Sequence, residues 1–342
     1  MSKTKITVLI VKPILTKEEI KVKEGDYFDA THYTKHHKVI TTDTDVYGID
    51  EYGTKQLLLK FRKNVIPQSV CSNAYNALEK HAKHKNSNRG AAAGKLSLKQ
   101  LPNHVGEITK QDKFRVFYKT KNGTLSTDNV SNIAQSNIAG YYDRPDRNYY
   151  KNAKNENAKN EKTEKESSID KLNTIPMCRT TQFTKKYVEK WEKTIPLIRE
   201  ADKLFKKLVP DRYKLQLERA NKTPDFQINN TAYSTITVNY NWRTASHCDS
   251  GDLNEGFGNL IILEKAKSKK NEIGNGDGDG VNDGYNGGYL GFPRWGICVD
   301  CRQGDFLAMD VHEYHSNTPI DGDGRLSVVC YLRKKMIQCM KT

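Results

Sequence analysis

From Ala232 onward, short runs rich in β-branched and aromatic residues alternate with turns built on glycine, asparagine and proline. Residues 234–240 alternate at period two, and 259–263, 295–300, 304–309 and 325–332 are further strand candidates. Many short strands separated by turns exclude a helical bundle and indicate a β-sandwich or barrel-like jelly roll. The helical stretches upstream, about 68–84 and about 185–208, then have to pack on its outside. In the second of these, Val188, Trp191, Ile195, Ile198, Leu204, Phe205 and Leu208 form an apolar face, and Pro196 predicts a kink or break.

The rest of the chain is less regular. Residues 1 to about 60 mix β-like runs (6–11, 39–42) with polar turns, and 56–65 and 111–119 read as strands. Asn88-Arg89-Gly90-Ala91-Ala92-Ala93-Gly94 reads as a small, flexible, basic stretch. Two tracts lack apolar periodicity: the Lys/Asn/Glu-rich 152–168, and 265–286, which is first lysine-rich and then Gly/Asn/Asp-rich. Both read as solvated, disordered insertions. Asp277-Gly-Asp-Gly in the second lacks the terminal Glu and helical flanks of an EF-hand, so it reads as a surface loop. The expected organisation is an N-terminal α/β region over 1–150 that contributes to the catalytic unit, an insertion over 151–169, and a β-rich core with helical support over 170–342.

Composition narrows the partners. The 56 Lys and Arg against 41 Asp and Glu give a net charge of +15, which points to a polyanion, nucleic acid first. Seven cysteines are scattered through the chain, and the lone Cys298-x-x-Cys301 has no second pair to complete a zinc site. They are expected as thiols in a reducing compartment, nucleus or cytoplasm. The apolar run 7–10 is too short for a secretory signal, no stretch approaches a membrane span, and nothing calls for an obligate protein partner.

The chemistry concentrates in His247-Cys248-Asp249, then His315, then Arg325-Leu326-Ser327. Residues at i and i+2 of an extended chain point the same way, so His247 and Asp249 can reach one ion. A histidine from a distant strand completes a set of two imidazoles and one carboxylate. Such a set occupies one face of the ion and leaves open positions, the arrangement of non-haem iron(II) oxygenases. His312 and His315 both compete for the distal place; His315 is preferred, because Asp310 and His312 share a face as a supporting pair. Arg325 can hold a carboxylate of 2-oxoglutarate bidentately, with Ser327 adding a hydroxyl on the same strand face. Asn241, just before the His-x-Asp, is a further candidate for the cofactor.

These segments resemble the ten-eleven-translocation and base-J-binding-protein (TET/JBP) dioxygenases, in the form found in viruses, phages and protists. The resemblance runs through 235–252, Gly256-Phe-Gly-Asn-Leu260, Gly287-Gly288, Gly304-Asp-Phe-Leu307, His312 to Pro319 and 325–333, with upstream pieces at Cys178–Thr184 and Asn88-Arg-Gly-Ala-Ala92. It implies an α+β fold with a double-stranded β-helix core, cupin-like, carrying packing helices and an N-terminal extension. It further implies iron(II) held by His247, Asp249 and His315, with 2-oxoglutarate on Arg325 and Ser327. Dioxygen is the co-substrate and ascorbate an accessory reductant. The implied reaction is oxidation of the 5-methyl group of a pyrimidine, 5-methylcytosine or thymine, in DNA.

A base in a duplex has to be flipped to reach an enclosed ion, and the positive charge can grip the backbone. Asn88, Arg89 and the lysines around His81–Lys85 are candidates for that grip. By the resemblance, Asp252 lies where a polar residue reads the base; ionised, it only accepts hydrogen bonds and so favours the amino group of cytosine. Arg333 stands near where relatives carry a base-contacting histidine, a departure that leaves its role open. Trp191, Trp242 and Trp295 are expected in the core. Two rival readings share parts of this pattern: a prolyl or lysyl hydroxylase, and a non-catalytic DNA-binding protein on an oxygenase scaffold.

Overall fold

The computed structural model describes residues 6–126, 128–143, 178–266 and 284–339. The 151–169 insertion and most of 265–286 lie outside the described residues. In chain order the strands are β1 (Thr7–Val11), β2 (Thr44–Ile49), β3 (Lys55–Arg62), β4 (Val105–Gln111), β5 (Val116–Thr120), β6 (Ser136–Tyr142), β7 (Arg179–Thr180) and β8 (Thr235–Tyr240). They continue with β9 (Gly258–Glu264), β10 (Tyr285–Gly287), β11 (Leu290–Phe292), β12 (Ile297–Val299), β13 (Phe306–Met309), β14 (Ser316–Asn317), β15 (Ile320–Gly322) and β16 (Arg325–Tyr331). The α-helices are α1 (Lys17–Val22), α2 (Ala30–Thr34), α3 (Gln68–Ala82), α4 (Gln182–Lys186), α5 (Val188–Leu208) and α6 (Pro210–Ala220).

A nine-stranded sheet of order β1-β2-β3-β13-β9-β16-β8-β6-β7 forms the main wall. Its central strands are antiparallel, with Ser327 opposite Asn239 on one side and Ile262 on the other. Alternation then sorts their side chains between two faces. Ile236, Val238, Ile261, Leu263, Phe306, Val328 and Cys330 pack outward against α3, α5 and α6. Leu260, Ile262, Leu307 and Met309 face inward and meet Leu290, Phe292, Trp295, Ile297 and Val299 from the short sheet β12-β11-β14. Two antiparallel layers closing on each other, with helices on one outer face, make an α+β fold with a double-stranded β-helix core.

The N-terminal region joins this wall. β3 pairs with β13, bringing Arg62 opposite Phe306, and β1 and β2 extend the sheet beyond it. Three readings from sequence are corrected. The 111–119 strand is a hairpin, because the Asp112 carboxylate accepts from the Phe114 and Arg115 amides and turns the chain there. The 88–94 stretch is not a flexible surface: Gly90, Ala92 and Ala93 are buried in a tight 3-10 turn. Tyr285, assigned to the second insertion, is buried in β10. In addition, α5 runs on through Pro196 rather than ending there.

Cys178 and Cys339 form a disulfide across 161 residues of chain, against the expectation of seven thiols. That separation leaves no spacing for a sequence pattern to reveal. Cys298 and Cys301 are buried thiols, and burial pushes Cys298 up to about 12, so they remain protonated. No helix among the described residues is long and apolar enough to cross a membrane.

His81, at the end of α3, stacks on Phe183 with ring centroids 4.3 Å apart, and its Nε2 donates to the Ile138 carbonyl. Burial lowers its pKa to about 4. The unfolded chain, with an ordinary imidazole near ~6.5, therefore takes up the proton first as pH falls. The stability His81 contributes is present above that value and is lost progressively towards about 4. Between pH 7 and 5, urea unfolding of the wild type should lose about 1 kcal/mol more than that of His81→Gln, allowing for partial exposure; equal losses would contradict this. The neighbouring Lys83 is engaged by Glu79 at 2.7 Å and lies over the Tyr240 ring.

Candidate active site

The inward faces of β8 and β16 wall a cavity of about 660 Å³, also lined by Leu260, Met309, Leu290, Asn317 and the 88–92 turn. Thr237 and Asn239 come from β8, and Arg325, Ser327, Val329 and Tyr331 from β16, each set spaced by two residues. His247, Asp249 and His315 lie together in the same wall.

Backbone pairing aligns these three. His247 and His315 exchange both amide-to-carbonyl hydrogen bonds, at 3.1 and 3.0 Å, so their rings share one side of the chain, 4.4 Å apart. The Asp249 amide donates to the Val311 carbonyl. His247 Nε2 is 3.6 Å from one Asp249 oxygen and His315 Nε2 is 3.7 Å from the other. The Nδ1 atoms donate to the carbonyls of Ala245 at 2.8 Å and Glu313 at 3.0 Å. That fixes the tautomers and leaves both Nε2 lone pairs directed at the carboxylate. Burial, then the neighbouring His247, lowers the His315 pKa to about 4, which keeps the ring neutral.

The Glu313 side chain is itself held. Gln56 donates to it at 2.7 Å, Trp295 Nε1 at 3.1 Å, and the buried Arg294 pairs with it at 3.5 Å. The carbonyl orienting His315 is thereby anchored to the core. His312 turns away from the group: its Nδ1 bonds Asp310 at 3.2 Å, and it takes no part in the cavity wall.

Arg325 is 4% exposed, yet no carboxylate pairs with it among the described residues. Its Nη2 donates to the Gly288 carbonyl at 3.1 Å, and its Nε has no partner. A buried cation without a counter-ion carries a desolvation cost that an incoming carboxylate removes. Gly288 makes room for it: φ is +67°, and a β-carbon there would lie 2.9 Å from Arg325 Nε. Gly288→Ala should therefore displace the guanidinium and raise the KM for 2-oxoglutarate about tenfold, from backbone strain of about 1–2 kcal/mol plus the clash. An unchanged KM would mean that Arg325 does not meet this ligand.

Other expectations shift. Asn241 is not in the cavity wall: in the left-handed region at φ +41°, it accepts from the Arg325 amide at 2.8 Å and donates to Asp323, so it shapes the turn and not the ligand. Arg89, read as a backbone grip, is turned inward; its Nε donates to the Ser136 carbonyl at 3.3 Å and its side chain lines the cavity. Ser327 accepts from Asn239 at 3.0 Å. Arg333 lines the cavity while paired with Asp143 at 2.8 Å and stacked over Tyr142. Asp252 is buried beside it, and burial, then the nearby Asp249, pushes its carboxyl well above the usual range. Desolvation works against the ionised form of this carboxyl, while Arg333 beside it works in its favour. Trp295 is in the core, whereas Trp242 lines the cavity. Thr237, Asn239, Tyr331 and Ser136 were missed from sequence; the period-two face shared with Ser327 could have flagged the first three, but nothing local flags Ser136.

Residues 167–334 match the Tet_JBP family, the oxygenase domain of the 2OGFeDO superfamily. The chain is 31% identical over 163 residues to thymine dioxygenase JBP1 of Trypanosoma brucei brucei, covering 46% of this chain and 17% of that protein. It is 33% identical over 163 residues to thymine dioxygenase JBP1-B of Trypanosoma cruzi, with the same coverage. It is 32% identical over 160 residues to the bifunctional helicase and thymine dioxygenase JBP2 of Leishmania major, covering 46% of this chain and 13% of that protein. The chain thus spans less than a fifth of the length of these relatives. NgTET1, solved in complex with 5mC DNA, aligns over 98% of this chain and 84% of its own at 11% identity, with a TM-score of 0.45. The segment that carries His247, Asp249, His315 and Arg325 therefore lies within the match to the Tet_JBP model, the oxygenase domain of the 2OGFeDO superfamily.

Proposed function

We propose that the protein is an iron(II)- and 2-oxoglutarate-dependent dioxygenase that oxidises the 5-methyl group of a pyrimidine base in DNA, with thymine the first substrate to test. The observation that carries this reading is one cavity holding two imidazoles and a carboxylate beside a buried arginine that has no counter-ion among the described residues. The choice of thymine rests on the similarity to proteins named thymine dioxygenases.

The donor set fits iron(II), since nitrogen and oxygen ligands on one side leave the remaining positions free for ligands. His247, Asp249 and His315 would hold the ion, and Arg325 with Ser327 would hold 2-oxoglutarate. When bound, the metal and keto acid supply the dioxygen activation that an inert methyl C–H requires. The chain's own task is to orient these groups and the base. Ala245 and Glu313 set the imidazole tautomers through their carbonyls. Arg89, Asp252 and Arg333 add polar groups further along the cavity, where the polar edge of a flipped base would have to be satisfied. A DNA substrate would put the enzyme in whichever compartment holds that DNA.

The test is mass spectrometry of nucleosides from duplex DNA treated with enzyme, iron(II), 2-oxoglutarate and air. One duplex contains 5-methylcytosine and one contains thymine as its only methylated base. A hydroxymethyl or more oxidised base, absent with His247→Ala, supports the reading and names the base. Consumption of 2-oxoglutarate without a modified base in either duplex would sink the DNA assignment and turn attention to protein side chains.

A further inference from the structure

We propose that the hairpin β4–β5 is an arm that grips the DNA backbone beside the cavity, with Arg115 at its tip contacting a phosphate next to the flipped nucleotide. This rests on the functional reading above and assigns a surface outside the matched 167–334 segment.

Position is the first argument. The hairpin turn, Asp112 to Arg115, lines the cavity beside the 88–92 turn. A β-carbon on Gly90 would lie 3.1 Å from Arg115 Nη2, so that guanidinium rests directly over Gly90. The preceding residue, Arg89, points inside towards the Ser136 carbonyl. Two guanidinium groups thus step from the exposed rim into the interior. A nucleotide swung out of a duplex needs this order, phosphate outside and base within.

Charge is the second. Between Lys95 and Lys121 there are seven lysines and arginines against two acids, Glu107 and Asp112. Both acids are occupied: Glu107 by Lys119 at 2.7 Å, and Asp112 by the Phe114 and Arg115 amides at 2.7 and 2.8 Å. The exposed Arg115 side chain has no ion pair or hydrogen bond among the described residues. An exposed guanidinium with no ionic partner among the described residues matches a phosphate, which it can meet with two parallel hydrogen bonds.

The arm is also held in place. The Leu96 amide donates to the Lys113 carbonyl at 2.9 Å, Lys113 Nζ reaches the Val22 carbonyl at 3.3 Å, and Val116, Tyr118 and Val130 form a small core beneath. Little ordering entropy is then lost when the tip meets its ligand.

The test measures binding of a 30-base-pair duplex by fluorescence anisotropy between 50 and 200 mM salt, using the full chain. Arg115→Ala should weaken binding of all sequences alike and lower the slope of log affinity against log salt by about 1, the loss of one phosphate contact. Arg115→Lys should restore most of the slope, and Lys207→Ala, on the helix layer, should leave it unchanged. The thermal shift produced by 2-oxoglutarate should be the same in every variant, which checks the fold. A wild-type slope in Arg115→Ala, with DNA still bound and oxidised, overturns this inference alone. A wild-type protein that neither binds nor oxidises duplex DNA overturns the functional reading, and the arm with it.

Discussion

Replacing His315 with alanine is expected to abolish iron-dependent turnover of 2-oxoglutarate, whereas His312→Ala should keep activity within about tenfold of wild type. Of these two, His315 aims Nε2 at the Asp249 carboxylate, whereas His312 is spent on Asp310. Losing a ligand from a set of three leaves two groups to hold the ion, a larger defect than the ~10–100-fold that loss of an outer hydrogen-bond partner costs. The measurement is iron stoichiometry after anaerobic loading, alongside 2-oxoglutarate consumption. Equal loss of iron from the two variants would mean that the distal ligand is misassigned.

The second large effect concerns Arg325. Arg325→Met should weaken 2-oxoglutarate binding by about 2–4 kcal/mol, roughly 30- to 700-fold, the range for lost charge-assisted hydrogen bonds. Its effect on the free protein should be the opposite of an ordinary core mutation. In the free protein, Arg325 is a buried cation with no carboxylate partner among the described residues. An apolar chain of similar length removes that desolvation cost. The melting temperature without ligand should therefore hold or rise, while the stabilisation by 2-oxoglutarate disappears. A variant that melts several degrees lower and still responds to 2-oxoglutarate would make Arg325 a packing residue.

These two predictions draw on the part of the protein that its sequence already displays. The His-x-Asp pair, the later histidine and Arg325-x-Ser327 are readable because an extended chain sends alternate side chains to one face. Spacing by two is thus enough to group ligands before any tertiary contact is known. The same periodicity marks β8, β9 and β16, whose ends fall within a residue or two of the expected ones.

Pairings between distant segments are what local pattern cannot carry. β3 meets β13 more than 240 residues later, which makes the N-terminal region part of the main sheet. The 88–92 turn and Ser136 enter the cavity from that region, and Arg89 points inward because its turn is packed against the sheet. Asn241 looks like a ligand next to the His-x-Asp, yet its left-handed backbone turns it to the Arg325 amide. Asp252 reads as an ion in the sequence, but burial against Asp249 raises its pKa. Sequence by itself determined which residue types share a strand face, because that follows from the covalent geometry of an extended chain. Only the tertiary structure decided which faces meet, and hence which charges lose their water, because burial and counter-ions belong to contacts between segments far apart in the chain.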